Sequence, residues 1–160
     1  MASLRIREAV FPADSPALKS VIEEYIGWLD MDLSYRGFAQ EMACFEAIFT
    51  LPSGLFLLAC VNGELAGCVG LLRHAGDVAE VKRLYVRPAF RGLQLGRQLM
   101  AELMARAQAL GCQRLILDAV PQTTVAQQLY EAMGFEETAP YYANPVPGTR
   151  FFALPLPAQG

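Results

Sequence analysis

The stretch Val86-Arg87-Pro88-Ala89-Phe90-Arg91-Gly92-Leu93-Gln94-Leu95-Gly96-Arg97 combines residue types suited to holding an anion. A strand pattern stops at proline, a short basic loop follows, and a helical pattern begins. The first turn of a helix offers N–H groups without intrahelical partners and the positive end of the helix dipole. A pyrophosphate placed there meets both. Gly92 and Gly96 permit close backbone approach, and Arg91 and Arg97 add charge. Taken alone, the loop also reads as an ordinary strand-to-helix turn with solvated arginines. It is not a Walker loop, because no Gly-Lys-Ser/Thr follows, and it lacks the close glycine pair that opens a dinucleotide fingerprint.

The elements around this loop follow from local pattern. Leu4 to Arg7 alternates as a short strand. Ser15-Pro16 reads as an N-cap with proline in the first turn, and Leu18, Val21, Ile22, Tyr25, Ile26 and Leu29 follow at helical spacing. Phe38, Met42, Phe45 and Phe49 predict a second helix that ends before Pro52 and Gly54. Leu55–Val61 and Leu65–Leu72 are apolar strands around the Asn62-Gly63 hairpin signal. A looser turn near His74 to Asp77 leads to a third apolar strand, Val78–Val86, ended by Pro88. Leu95, Leu99, Leu103, Ala107 and Leu110 form one helical stripe closed by Gly111. Arg114–Ala119 is a buried strand. Thr124 to Gln127 fits a capping box, with Val125, Leu129 and Met133 facing inward and Gly134 as the stop. An extended segment broken by Pro140, Pro145 and Pro147 resumes as a strand from Arg150 to Leu156. The order is βααβββαβαββ, an α/β chain with helices packed on a mixed sheet.

Bulk properties bound the function. The chain has 160 residues, 54% of them hydrophobic and 18% charged, which suits one folded domain over residues 1–160. The apolar excess is consistent with a homodimer. A net charge of −3 gives no electrostatic case for a nucleic-acid partner. The longest apolar run, Leu55–Val61, is far shorter than the ~20 residues of a membrane span, and the N-terminus does not resemble a signal peptide. No membrane association is expected, and the cytoplasm is the expected location. Cys44, Cys60, Cys68 and Cys112 contain no CxxC pair and His74 is the only histidine, so no metal site is expected. A two-residue turn at Asn62-Gly63 pairs Cys60 with Leu65 and Cys68 with Leu57. Strict alternation then sets the two cysteines on opposite faces, against a disulfide.

Glu80-Val81-Lys82-Arg83-Leu84-Tyr85-Val86-Arg87-Pro88 resembles the fourth strand of the GNAT superfamily of acetyl-CoA-dependent N-acetyltransferases. Arg91 to Gly96 resembles the family signature, an Arg or Gln, two residues, Gly, one residue, then Gly or Ala. Ala126-Gln127-Gln128-Leu129-Tyr130-Glu131-Ala132-Met133-Gly134-Phe135 resembles the later motif in which Leu-Tyr precedes a run ending Gly-Phe. The resemblance covers the chain from about Leu55 to the C-terminus. Two positions depart from it. Gln94 stands where the signature usually has its first glycine, which is costly if φ must be positive there. Thr123 occupies a position often held by asparagine.

The resemblance implies a mostly antiparallel sheet splayed between strands four and five, and transfer of an acetyl group from acetyl-CoA, as co-substrate, to a primary amine. An amine with an ordinary pKa near ~10.4 must lose a proton before attack, and the departing thiolate benefits from an acid. Glu80 is the candidate base, through a water; the alternative is an ion pair with Lys82 on the same face. Tyr130 is the candidate acid; the alternative is a ring that only packs. Leu84, Tyr85 and Val86 would bind the pantetheine arm. Arg91, Gly92, Leu93, Gln94, Leu95, Gly96 and Arg97 would hold the pyrophosphate, with Thr123 and Ala126 completing the cofactor site. Trp28, Tyr35, Tyr142 and Asn144 are the candidate acceptor-binding residues, with acids such as Asp32 nearby, and suit a small-molecule amine. Asn144 to Gly148 also reads as a stiff turn. A non-catalytic acyl-CoA-binding sensor is the alternative function, and Gln94 motivates it.

Overall fold

The computed structural model describes residues 3–31 and 37–157. Its elements are β1 (Leu4–Glu8), α1 (Ser15–Leu29), α2 (Phe38–Ala43), α3 (Phe45–Ile48), β2 (Gly54–Val61), β3 (Glu64–Arg73), β4 (Val78–Val86), α4 (Leu95–Ala109), β5 (Arg114–Ala119), α5 (Thr124–Ala132), β6 (Glu136–Glu137) and β7 (Arg150–Pro155). The order is the expected one, except that the second helix is two short pieces meeting at Cys44. The seven strands form one sheet in the order β1-β2-β3-β4-β5-β7-β6. Every pairing is antiparallel apart from β4 with β5.

Both faces of the central strands are covered, which is why β2 and β3 read as nearly unbroken apolar runs. On one face Leu99, Leu103 and Ala107 of α4 pack against Leu55, Leu57, Val69, Leu71 and Val81. On the other, Leu18 and Ile22 of α1 and Phe45 and Phe49 cover Phe56, Leu58 and Cys68. Phe45, Phe49 and Phe56 have ring centroids 4.6–5.4 Å apart. Each large side chain buried this way contributes roughly 1.5–3 kcal/mol relative to exposure.

Three local expectations are corrected. Asp14, not Ser15, stands at the N-cap of α1. Its carboxylate accepts from Arg7 at 2.7 and 2.8 Å and from the Val10 N–H, while the Ser15 hydroxyl donates to Glu46. The β2–β3 ladder pairs Cys60 with Leu65 but Cys68 with Leu58, because Ala66 is an extra residue on β3. That bulge puts Cys60 and Cys68 on the same face, and both thiols are free. Finally, α5 begins one residue earlier than the capping box predicts. Thr123 is its N-cap, and its inward residues are Gln127 and Tyr130, with Leu129 and Met133 partly buried; Val125 is 79% exposed. The Gln127 side chain does not reach back to cap the helix but donates to the Val120 carbonyl. No helix among the described residues is long and apolar enough to cross a membrane.

Candidate active site

The site begins with a break in the sheet. Between Cys68↔Tyr85 and Gly70↔Lys82, the two residues Arg83 and Leu84 of β4 stand against Val69 alone. This is a β-bulge, with Arg83 in the left-handed region at φ 59°. A non-glycine residue there costs about 1–2 kcal/mol, so the surrounding packing must hold it. Gly67 lets β3 lie close beside this stretch: a Cβ there would stand 2.7 Å from the Tyr85 carbonyl oxygen. Before the bulge is reached, β4 has already left its parallel neighbour. Its pairing with β5 runs from Val78↔Arg114 to Glu80↔Ile116 and stops. Among the described residues, no β5 backbone pairs with Val81–Val86. A cavity of about 60 Å³ lies there, lined by Val81, Leu84, Asp118, Val120, Thr123 and Tyr130 among others.

A larger cleft, about 500 Å³, adjoins this gap and follows Leu84–Val86, the Arg91–Arg97 loop and the start of α5. Its size lies within the ordinary range for small-ligand sites. Gly92 has φ 90° and Gln94, the N-cap of α4, has φ 59°. The departure at Gln94 therefore falls on a position where φ is indeed positive. The turn still delivers the loop into the first turn of α4, whose N–H groups lack intrahelical partners. Gly96 lines the cleft, and a Cβ on it would meet Leu129 Cδ2 of α5 at 3.4 Å, an ordinary contact. A cofactor carrying a pyrophosphate and an extended amide-bearing arm fits these features: N–H donors at one end, an open strand edge at the other, and an apolar wall including Val125, Leu129 and Phe90.

Arg91 does not simply project into solvent. Its Nε donates to the Val86 carbonyl at 3.2 Å, and its guanidinium lies over the rings of Trp28 and Tyr85. Tyr25 stacks on Trp28 from the same helix. Tyr85 donates to Glu24, and burial together with that carboxylate pushes its phenol up to about 12. Trp28 thus lines the cofactor-sized cleft, apart from Tyr142 and Asn144. Arg97 is exposed on the cleft lining. Thr123 donates its hydroxyl to the Val120 carbonyl at 2.8 Å, shaping the turn into α5, and Ala126 lines both cavities.

Glu80 is buried, and the ion pair with Lys82, the alternative to a base role, is not formed. Instead the Glu80 carboxylate meets His74 Nε2 at 3.0 Å and accepts from the Tyr141 hydroxyl at 2.8 Å. Lys82 turns to Glu41 of α2 at 2.7 Å, and the same carboxylate receives three contacts from Arg83 at 3.1–3.2 Å. All three side chains are almost fully buried. Glu41 therefore neutralises the cations of the bulge and leaves Glu80 to other partners.

Tyr130 reaches the gap from α5. Its phenol is raised above the ordinary tyrosine range, chiefly by burial and then by the nearby Tyr25 and Asp118. It stays protonated at neutral pH. Across the cavity, Tyr142 donates to Asp118 of β5 and Asn144 donates to the Tyr142 oxygen. Asn144 Oδ1 also accepts from the Val146 N–H at 2.8 Å, so Asn144 shapes its own turn. Tyr141 and Tyr142 pack on Phe151. Tyr35 and Asp32 lie outside the described residues. The structure thus gathers Glu80, Tyr141 and His74 in one group and Tyr142, Asn144 and Asp118 in another.

His74, Glu41 and Asp118 are the residues of this region that sequence reasoning missed. Asp118 had a signal, a single carboxylate in the otherwise apolar run Leu115–Ala119. His74 is weighed in the sequence only against a metal site, and no metal-capable cluster exists among the described residues.

Comparison with known proteins agrees with this geometry. The sequence model of the acetyltransferase (GNAT) family matches residues 22–135. An uncharacterized N-acetyltransferase of Schizosaccharomyces pombe is 33% identical over 156 residues, covering 96% of each chain. An aminoglycoside N(6')-acetyltransferase of Stenotrophomonas maltophilia is 30% identical, over 83% of this chain and 86% of that one. Among solved structures, an acetyltransferase of Salmonella typhimurium with its cofactor acetyl-CoA has the same fold. It superposes with a TM-score of 0.72 at 23% identity, over 98% of this chain and 95% of that one.

Proposed function

The chain belongs to the acetyltransferase (GNAT) family, and from that premise we propose that residues 1–160 act as one N-acetyltransferase domain moving the acetyl group of acetyl-CoA to a small-molecule primary amine. The observation that carries this reading is the gap itself. β4 leaves β5 immediately after Glu80, and a protonated Tyr130 lines the space that opens.

In this reading the N–H groups around Gly92 to Gly96 and the first turn of α4 hold the pyrophosphate, with Arg91 and Arg97 adding charge. The open edge at Leu84–Val86 holds the arm. Acetyl-CoA supplies the acetyl group as an activated thioester. Backbone N–H groups of the β4 edge are the candidate donors for the thioester oxygen, and they are fixed before reaction. Glu80 takes a proton from the amine, directly or through a water, and Tyr130 Oη holds the proton that the departing sulfur needs. Burial favours the second task, because a phenol with a raised pKa remains an acid throughout the neutral range.

Glu80 and Asp118, with the rings of Tyr141 and Tyr142, suit a cationic acceptor small enough to enter between them. The relative named for aminoglycosides supports a small amine as acceptor. The test is thiol release from acetyl-CoA with kanamycin, aminoethylphosphonate and glycinamide, each compared with water. Release above the water rate with one of them is expected. Saturable acetyl-CoA binding with no release for any amine would favour the sensor.

A further inference from the structure

We propose that His74 is the proton exit for Glu80, a positioning residue that acts through that carboxylate; this rests on Glu80 being the base. The Glu80 side chain is 3% exposed, whereas that of His74 is 41% exposed, and the two meet at 3.0 Å. A base that accepts a proton in every turnover must also lose one in every turnover. A carboxyl group buried to this degree has little direct contact with bulk water, and a neighbour that reaches solvent gives its proton a way out.

The described neighbours of the carboxylate differ in what they can do. Tyr141 donates to Oε2. A neutral phenol is a poor proton acceptor at neutral pH, so that bond orients the carboxylate. An imidazole has two nitrogens, each able to hold a proton, one of which can face the carboxylate while the other faces solvent. Nε2 faces Glu80. The main chain that carries the ring is fixed, since the His74 N–H donates to the Val78 carbonyl at 2.7 Å in the tight β3–β4 turn. Gly76 and Asp77 both have positive φ in that turn.

The step balances without a further reactant. The Nε2 lone pair takes the proton as the Glu80 O–H bond breaks, restoring the carboxylate and forming the imidazolium. The imidazolium then loses one proton to water or buffer and returns to neutral.

The test uses the full chain, acetyl-CoA and the three amines named above, with thiol release as the readout. His74→Ala should lower kcat at least 10-fold and leave acetyl-CoA affinity within about twofold. Added imidazole should restore at least half of the lost rate. His74→Gln keeps a side chain that can hydrogen-bond Glu80 but cannot carry a proton, and it should be as slow as His74→Ala. Full activity of His74→Gln, or no rescue of His74→Ala by imidazole, overturns the exit while leaving Glu80 as the base. Unchanged kcat in Glu80→Gln, or no thiol release by the wild type, overturns the underlying reading and the exit with it. Circular dichroism of each variant confirms that the loss is not unfolding.

Discussion

The guanidinium of Arg91 stands 5.6 Å from the ring of Trp28, joining the basic loop to the end of α1 across the larger cleft. Trp28 is the only tryptophan of the chain, so its fluorescence reports on this cleft alone. Acetyl-CoA titration is expected to change that fluorescence saturably, and Arg91→Ala should weaken the response. Trp28→Ala should weaken acetyl-CoA binding about 3- to 10-fold, the size of an exposed cation–π and packing contact. Unchanged affinity would remove Trp28 from the cofactor side.

Gln94 occupies a left-handed position that glycine would fill without strain. Gln94→Gly should raise Tm by about 2–4 °C, corresponding to about 1 kcal/mol. Acetyl-CoA affinity should be kept, because the loop offers backbone groups. Gln94→Val should lower Tm, since a β-branched side chain tolerates positive φ worst. Calorimetry on the three proteins checks both directions.

Tyr130→Phe should reduce kcat by about 100-fold, the lower range for a lost general acid, with acetyl-CoA affinity unchanged. Burial raises this phenol, so the wild type should show no loss of activity attributable to Tyr130 as pH rises to about 10. A rate that falls near pH 8 and is insensitive to Tyr130→Phe would assign the acid role elsewhere.

Glu41 holds both Lys82 and Arg83 within 3.2 Å in the interior. Glu41→Ala leaves two buried cations without their carboxylate and should destabilise the protein by about 3–5 kcal/mol. Urea unfolding measures this. A loss near zero would mean that the cations reach water when the acid is removed.

Asp14 is held near pKa 2 by the hydrogen bonds of Arg7, with the Val10 N–H adding to the effect. A folded-state pKa below the unfolded value gives stability that is present above about pH 4 and lost as pH falls through about 2. The pair is partly exposed, so the effect is small, about 1 kcal/mol. Asp14→Asn should therefore be less stable than wild type at pH 7 and nearly equal to it at pH 2.

Much of the fold was legible because its signals are local. Asn62-Gly63, Pro88, Gly111 and Gly134 mark turns through backbone preferences of single residues, and the stripe from Leu95 to Ala107 marks α4 by period alone. The site was legible as a set of segments but not as a set of partners. A pair between Lys82 and Glu80, two residues away, was one of two readings, yet Lys82 meets Glu41, 41 positions distant. Tyr141 reaches Glu80 across 61 positions and Tyr142 reaches Asp118 across 24. Pairings at such separations depend on how α2 and the segment before β7 are laid over the sheet, which no short window encodes. The β3 bulge falls in the same class. Ala66 is not a residue type that announces one, and it moved Cys68 to the face opposite the expected one.

The open edge of β4 is made of main-chain atoms, whereas the Glu80 and Asp118 groups are made of side chains. Substitution can erase the second kind of site one residue at a time but cannot delete a peptide group. The two ends of the pocket therefore differ in how readily they can be rewritten. In the proposed reading, an engineer could exchange Tyr141, Tyr142 and their neighbours to seek a new acceptor while the donor end stays in place. Divergence of the chain into new specificities would follow the same route.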